Sequence, residues 1–479
     1  MNLSSKIAYN TIIQVVGKVI STILGLLTLA IMARYLGQSG FGDYTTIINF
    51  VSFFAIIADL GLTLVTVQMI SRPGVEEKKV LNNLFGLRLV SIVLFLALSP
   101  IIALFLPYSP VIKIGILVAA LSFLFPALNQ ILIGLFQKKL RMDKAVIAET
   151  ISRLVLFGGT YLAIKIESGL MGILWAAVIA AAVNFIISYL LAGKSYLLKP
   201  GFDFTLWKEV IKKSWPLAVT IVLNLLYLKT DTLILSLIKS SEEVGLYGAA
   251  YRIIDVLTTL PFMFAGIVLP IMTSSWFEDK KDYFKLVLQK SFDLMAVFSI
   301  PIIAGALVLA KPIIVLVAGP EFAGSGVILK ILIFALVAIF LGCMFAHAVI
   351  AINQQKKMIA PYIFVGLSSV LLYLIFIPKF SYYGAAAITI YSEVAIALFS
   401  AYIVFKYTSF TPALKIFSKA IISSLIMGGI LLLINESFYY SWTGLILGCV
   451  TAITVYFLSL FVTKGLTVND LKILLNKKL

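Results

Sequence analysis

The chain has 479 residues, 61% of them hydrophobic and 12% charged, with a net charge of +17 and a mean hydropathy of +1.09. Soluble domains are about half apolar and about one quarter charged, so this composition excludes an ordinary globular domain and a disordered chain alike. Most of the chain is built to sit in lipid.

A helix needs about 20 apolar residues to cross a bilayer. Runs of that length place spans at 7–34, 43–70, 80–106, 110–137, 144–166, 169–193 and 213–238. They continue at 244–275, 284–310, 325–353, 358–378, 382–406, 412–435 and 441–463, fourteen in all. The loops between them alternate in charge. The side that holds the N-terminus carries 25 Lys and Arg, from Lys6 through Arg72, Lys79, Lys139, Lys213, Lys281, Lys356 and Lys419 to Lys478. The other side has Arg34, Lys113, Lys165, Lys239, Lys311 and Lys379. Short cytoplasmic loops are enriched in Lys and Arg. The expectation is therefore a multi-pass protein of the cell membrane with both termini in the cytoplasm. The same loop charges account for most of the net charge by facing anionic headgroups. No basic, aromatic-interleaved stretch is long enough to argue for nucleic acid.

Several further classes fall away. Cys343 and Cys449 both lie inside apolar spans, so no disulfide framework is implied. His347 is the only histidine and reads as a polar group on a helix face rather than a metal ligand. No phosphate-binding GxxxxGK[ST] loop occurs, so ATP hydrolysis by the chain is not expected, and no cofactor or metal is implied. The first span is longer than a signal-peptide core and is expected to be retained. The longest loop, near Gly193 to Lys213, is on the basic side, which leaves no large external segment for an enzyme of glycan polymerisation or ligation.

The organisation is repetitive. Gly134-Leu135-Phe136-Gln137-Lys138-Lys139 closes span 4, and Ile352-Asn353-Gln354-Gln355-Lys356-Lys357 closes span 10. Each is followed by one apolar span and then by a span led by glycine, at Gly172 and Gly384. Gly40-Phe41-Gly42-Asp43-Tyr44 at the start of span 2 is echoed by Val244-Gly245-Leu246-Tyr247-Gly248 at the start of span 8. Spans 1–6 thus read as related to spans 7–12 in the same orientation, the plan of a two-lobed transporter. The expected domains are 1–200, 201–410, and an appended pair of helices with a cytoplasmic tail at 411–479.

Polar residues interrupt the apolar spans in ordered stripes. In span 1, Asn10, Gln14, Lys18, Ser21, Gly25 and Thr28 recur every three or four residues and share one helix face. Span 2 offers Thr45, Asn49, Ser52, Asp59, Thr63 and Thr66; span 7 offers Thr220, Asn224, Tyr227 and Asp231; span 8 offers Arg252, Asp255 and Thr259. A charge at mid-bilayer costs about 2.5–3.5 kcal/mol on insertion scales, so it faces a partner or a wet cavity. Four aligned stripes favour a cavity. The simpler alternative is structural pairing of Lys18 with Asp59, and of Arg252 with Asp255 or Asp231. Arg88, Glu149, Arg153, Lys229, Asp293, Lys330 and Glu393 also fall within spans. For Arg88, Arg153 and Lys330, snorkelling to the interface is the competing reading. Prolines at 126, 216, 261, 270, 301 and 361 permit kinks.

Ala33-Arg34-Tyr35-Leu36-Gly37 followed by Gly40-Phe41-Gly42-Asp43-Tyr44, then Ala58-Asp59-Leu60-Gly61-Leu62, resembles the opening of the polysaccharide (O-antigen type) flippases. Gly245-Leu246-Tyr247-Gly248-Ala249-Ala250-Tyr251-Arg252 with a downstream Leu269-Pro270 extends the resemblance to the second half. These flippases belong to the multidrug/oligosaccharidyl-lipid/polysaccharide exporter superfamily. The resemblance implies an all-α integral membrane protein of about 14 transmembrane helices, with two pseudo-symmetric six-helix lobes in a V around a central cavity and two extra C-terminal helices. It also implies movement of a polyprenyl-diphosphate-linked oligosaccharide from the cytoplasmic to the outer leaflet for cell-surface polysaccharide synthesis, without enzymatic chemistry.

In that role Lys18 and Arg252 would meet the diphosphate through charge-assisted bonds. Arg88, Arg153 and Lys229 are further cations, and Gln14 and Asn224 would exchange hydrogen bonds with sugar hydroxyls. Asp59, Asp231, Asp255 and Glu393 are the carboxylates available to couple H+ or Na+. The expected partners are the lipid-linked oligosaccharide, membrane lipids, a coupling ion and a glycan polymerase. The alternatives are a cation-coupled multidrug exporter of the same superfamily, which would want a carboxylate-dominated cavity, and a membrane glycan polymerase or ligase.

The loop alternation predicts that tags placed at Lys79, Lys139 and Lys356 are cytoplasmic while tags at Gly319 and Glu436 are external. An external Lys356 in an accessibility-labelling experiment would break both the topology and the two-lobe repeat.

Overall fold

The computed structural model describes residues 3–59, 61–70, 76–193 and 198–465, and among these it is helical throughout apart from turns and short connections. Packing divides the chain into two compact units, Met1–Gly245 and Leu246–Leu479. The first contains α1 (Leu3–Ala58), α2 (Leu62–Ile70), α3 (Glu77–Leu104), α4 (Pro110–Lys138), α5 (Met142–Lys165), α6 (Gly169–Ala192), α7 (Phe204–Leu228) and α8 (Thr230–Ile238). The boundary falls within the start of α9 (Ser241–Phe277). The second unit continues with α10 (Lys281–Ala318), α11 (Ser325–Ala351), α12 (Ile359–Thr408), α13 (Lys415–Leu433) and α14 (Trp442–Val462). Eleven of the described helical segments are long and apolar enough to cross a membrane. The chain is a multi-pass, all-α membrane protein.

The fourteen expected spans map onto these helices with three instructive differences. Spans 1 and 2 share one helical run, α1, which reverses direction at Gly37, the residue that takes a left-handed φ of 64°. Its first half leaves the end of the unit where the side-chain amide of Asn10 donates to Leu140 O and accepts from Met142 N, both at 2.7 Å. It reaches the opposite end, where Tyr35 Oη accepts from Gly169 N. The second half returns, with Ala58 O accepting from Ser91 Oγ at 2.6 Å and, past the α1–α2 break, Ile70 O accepting from Lys138 Nζ at 2.5 Å. Spans 11 and 12 share α12 in the same way, with the reversal at Ser381, φ 51°. Bonds between Ser368 and Tyr391 hydroxyls (2.9 Å) and between those of Tyr373 and Thr389 (3.3 Å) cross the hairpin on either side of that residue. Span 7 is discontinuous, α7 ending at Leu228 and α8 beginning at Thr230.

The first unit buries its apolar faces in a continuous core that runs from Ile47, Phe50 and Val51 on α1 through Leu81, Leu84 and Ile92 on α3 to Ile116, Ile131 and Leu135 on α4. Exposed leucines, isoleucines and phenylalanines such as Leu94, Phe105, Leu162 and Leu190 cover the outside, as a lipid-facing surface requires. Small residues allow the closest approaches. Gly42, from the motif opening span 2, packs against the carbonyl of Ser241, and Gly245, from the echoing motif, packs against the carbonyl of Gln38. A Cβ at either position would overlap backbone oxygen, and Ser241 Oγ donates to Asp43 Oδ1 at 2.6 Å beside them. The two motifs that mark the internal echo therefore lie against each other.

A second fastening holds the connection between α6 and α7. Asn82 O accepts from Gly201 N (2.9 Å) and Asn82 Oδ1 from Lys199 N (3.0 Å). Asn83 Oδ1 accepts from Asp203 N (2.7 Å) and Asn83 O from the Trp207 indole (3.1 Å). Asp203 caps α7 by accepting from Thr205 and Leu206 N–H groups and pairs with Lys79 at 3.3 Å. The bond from Leu206 N–H, then Lys79, holds its carboxyl below the usual range.

In the second unit α13 and α14, the appended pair, pack on α10. Tyr456 Oη donates to Val297 O at 2.7 Å, and Leu309, Met427, Leu431, Leu445 and Leu460 complete a separate apolar cluster.

Candidate functional site

The α1–α2 break creates the most polar feature inside the first unit. Gly61 takes a left-handed φ of 72°, which stops one helix and lets the next begin at Leu62. A break in a membrane helix frees backbone groups that lipid cannot satisfy. Here Ser91 supplies the bond to Ala58 O, and Asp59 acts as the cap of α2, its Oδ2 accepting from Thr63 N at 3.5 Å and its Oδ1 from Thr63 Oγ1 at 2.5 Å. The positive end of α2 adds to the stabilisation of that carboxylate.

Arg88 comes to the same place from α3. At 1.5 Å per residue it sits about 16 Å along the helix from Glu77, well inside a membrane-length segment. Its guanidinium pairs with Asp59 Oδ1, and Nη2 donates to Thr63 Oγ1 at 2.8 Å. The Arg88 side chain is 1% exposed and Asp59 22%. Two guanidinium nitrogens, Nε and Nη1, are fully covered and have no hydrogen-bond partner among the described residues. The pair lines a cavity of about 370 Å³ whose wall also includes Ser52, Thr63, Gln130 and the apolar Ile56, Ile92 and Phe123. No other side chain on that wall is ionisable.

The remaining sequence-derived residues are distributed as follows. Lys18 and Gln14 are exposed on the first half of α1, and Gln14 donates to Asn10 O. Lys18 forms no ion pair among the described residues, and Asp59 pairs with Arg88, so the alternative of a structural Lys18–Asp59 pair does not hold. Nor does Arg88 snorkel: it turns into the protein. Arg153 is half-exposed and reaches Glu149, one turn earlier, at 3.8 Å. Lys229 sits in the α7–α8 break with a φ of −130°, two residues before Asp231, which is buried and accepts from Thr232 N at 2.6 Å. The side chain of Asn224 lies outside the described residues. In the second unit, Arg252 and Asp255 are partly exposed on α9 and 3.8 Å apart, one of the two pairings offered as the alternative to a cavity, and Glu393 is half-buried on α12.

Gln130 and Ser91 were not among the sequence-derived candidates. Gln130 follows Asn129 in an otherwise apolar run one turn after Pro126, a signal that was available; Ser91 carried none, since a lone serine in a span is unremarkable. The second unit has a contrasting cavity of about 420 Å³, walled by Leu257, Phe298, Ile302, Leu309, Ile333, Ile453 and Phe457 among others and almost wholly apolar. Among the described residues no cluster of His, Cys, Asp and Glu has the makings of a metal site.

Residues 7–276, more than half of the chain, match the model of the polysaccharide biosynthesis protein family. A probable flippase, AglR, of Haloferax volcanii is 26% identical over 165 residues, about a third of the length of each protein. Among solved structures, the lipid II flippase MurJ in an inward closed conformation is similar over 93% of this chain and 97% of its own, with a TM-score of 0.76 at 20% identity. An inward-facing multidrug resistance MATE transporter of the MOP superfamily matches over 83% and 98%, with a TM-score of 0.68 at 14% identity. At these identities the structural likenesses establish the fold.

Removing one member of a buried ion pair strands the other, so Asp59 and Arg88 are expected to be energetically coupled by about 1–3 kcal/mol in a double-mutant cycle. The cycle of Asp59→Ala with Arg88→Leu, followed by thermal unfolding in detergent, measures it. The Asp59→Ala and Lys18→Ala cycle is expected to be additive. Coupling in the second cycle and none in the first would reverse the assignment of Asp59's partner.

Proposed function

The chain belongs to the polysaccharide biosynthesis protein family, and from that premise we propose that it moves a polyprenyl-diphosphate-linked oligosaccharide from the cytoplasmic to the outer leaflet by alternating access. The observation that carries this reading is Arg88, a buried cation with unpaired N–H groups on the wall of a cavity inside a membrane-spanning unit. A lipid-linked sugar has a head too polar for hydrocarbon, two phosphates and a tail that stays in lipid. Guanidinium binds phosphate with charge-assisted, geometrically specific bonds, and Ser52, Thr63 and Gln130 offer neutral hydrogen bonds beside it.

In this reading both termini are cytoplasmic, and the exposed Lys18 and the half-exposed Arg252 are further cations for the diphosphate besides Arg88. Lys229, Arg153, Gln14 and Asn224 are secondary contacts. Asp59, Asp231, Asp255 and Glu393 are the carboxylates through which H+ or Na+ would bias the cycle, and a glycan polymerase would take the flipped product. The chain catalyses no covalent step. The multidrug alternative has the fold-level likeness to MATE transporters in its favour, but the first unit's cavity pairs its carboxylate with an arginine instead of offering free carboxylates to a cationic drug.

The test is transfer of a defined lipid-linked oligosaccharide across the bilayer of proteoliposomes, read as loss of protection from an external lectin or glycosidase. Protein-dependent transfer is expected, with Lys18→Ala and Arg252→Ala each slowing it several-fold at unchanged protein level and Lys18→Arg slowing it less than Lys18→Ala. Absence of transfer, together with efflux of cationic dyes, would favour the multidrug reading.

A further inference from the structure

We propose that Asp59 occupies Arg88 as a built-in stand-in for the substrate anion, and that binding of a prenyl diphosphate displaces it and transfers one proton from water to the displaced carboxylate. The inference rests on the reading of Arg88 as an anion site and extends it to a link between substrate and protons.

The geometry carries the argument. Arg88 is held from one side only: Asp59 and Thr63 engage Nη2, while Nε and Nη1 are fully covered and have no partner among the described residues. Arginine is always charged and has five N–H donors in a fixed fork, so it has donors to spare for a second acceptor once Asp59 and the groups that cover these nitrogens move aside. Asp59 lies at a helix break, next to Gly61, where a change of backbone angle moves the carboxylate without disturbing a continuous helix. Thr63 bridges the two, donating to Asp59 and accepting from Arg88, so release of the carboxylate leaves the guanidinium still anchored to α2. The cavity of about 370 Å³ is large enough for a diphosphate head.

Electrostatics then fixes the proton count. A lipid-linked diphosphate that accepts from Arg88 brings two negative charges close to the Asp59 carboxylate, and the single guanidinium charge offsets only one of the three. Two like charges sharing one site raise the proton affinity of the weaker acid. No other ionisable side chain lines the cavity to absorb the excess. α2 has no charged residue, Lys138 of α4 is engaged with Glu77 and Ile70 O at one end of the unit, and Lys213 of α7 is paired with Glu209. On α3 the other charges are Glu77, Lys78 and Lys79 in its first turn, and on the returning half of α1 the other charge is Asp43, about four turns before Asp59. The proton therefore goes to an Asp59 oxygen. By linkage, protonation of Asp59 must strengthen anion binding by the factor with which the anion raises its proton affinity. Affinity for the anion falls as pH rises through the titration of Asp59, by up to about ten-fold per pH unit for one linked proton.

The experiment is titration calorimetry of the full-length protein in detergent with farnesyl-diphospho-N-acetylglucosamine, at one pH, in Tris and in PIPES, whose different ionisation heats report protons taken up on binding. Both phosphates of this probe are esterified and do not titrate near neutral pH, so the wild-type protein is expected to take up close to one proton more than Asp59→Asn measured identically. Asp59→Asn, with Arg88 no longer neutralised, is expected to bind at least as tightly as wild type and to lose the pH dependence. Inorganic diphosphate is expected to bind at least ten-fold more weakly than the prenyl diphosphate; equal binding would overturn the assignment to a lipid-linked anion. Equal proton uptake by wild type and Asp59→Asn, or no binding of the probe at all, would overturn the exchange. Arg88→Lys should bind more weakly with proton uptake retained, and the wild-type measurement stands if Arg88 variants fail to fold. Lectin-accessible transfer that persists without proton uptake would sink the exchange alone and leave the flippase reading standing.

Discussion

A guanidinium enclosed in an apolar helical bundle must be neutralised, and much of the first unit's irregularity is organised around that requirement. Inserting Arg into the hydrocarbon costs a few kcal/mol even on the most lenient scale. Arg88 meets it with a carboxylate delivered by a helix break rather than by a facing helix surface. The break in turn needs Gly61 for its left-handed turn, Asp59 to cap the restarted helix, Thr63 to accept and donate, and Ser91 to satisfy the carbonyl left open at Ala58. Replacing any one of these exposes a different unpaired group to a low-dielectric surrounding. Well-packed hydrophobic residues often outperform buried ion pairs, so stability alone gives little reason for the cluster. Retaining the polar cluster is therefore best explained by its use.

That use connects to the membrane architecture. Irregular backbone at membrane depth is tolerated where it is buried in protein or lines a cavity, and discontinuous helices are where transporters place their substrate and ion groups. The first unit has two such interruptions, at Asp59–Gly61 and at Lys229, each with a carboxylate within two residues of the break. The second unit contributes an apolar cavity and a partly exposed Arg252–Asp255 pair instead.

Most of the span pattern was legible in the sequence, because hydrocarbon imposes a length and a composition that few other constraints can override. What hydropathy could not supply was how the polar residues meet. Reading Asn49, Ser52, Asp59 and Thr63 as one stripe assumed a continuous helix, with a cavity as the favoured reading and a Lys18–Asp59 pair as the simpler alternative. The turn at Gly61 changes the direction in which Asp59 points, and Arg88, twenty-nine residues later, takes the place of Lys18. The motif Ala58-Asp59-Leu60-Gly61-Leu62 had been singled out for its resemblance; its physical reason is the break. Likewise Gly37 and Ser381 were expected only as parts of ordinary loops, yet each reverses an almost uninterrupted helix through a single left-handed residue. The start of α7 at Phe204 rather than near Lys213 follows from Asp203 capping a helix whose first turns are too polar to register as a span.

The most direct measurement is a structure of the full-length protein with a prenyl-diphosphate-linked sugar bound. The account predicts phosphate oxygens within about 2.7–3.0 Å of the Arg88 guanidinium, the range of charge-assisted bonds, with the Asp59 carboxylate moved off it and Thr63 still in contact. A diphosphate bound elsewhere, with the Asp59–Arg88 pair intact, would contradict it.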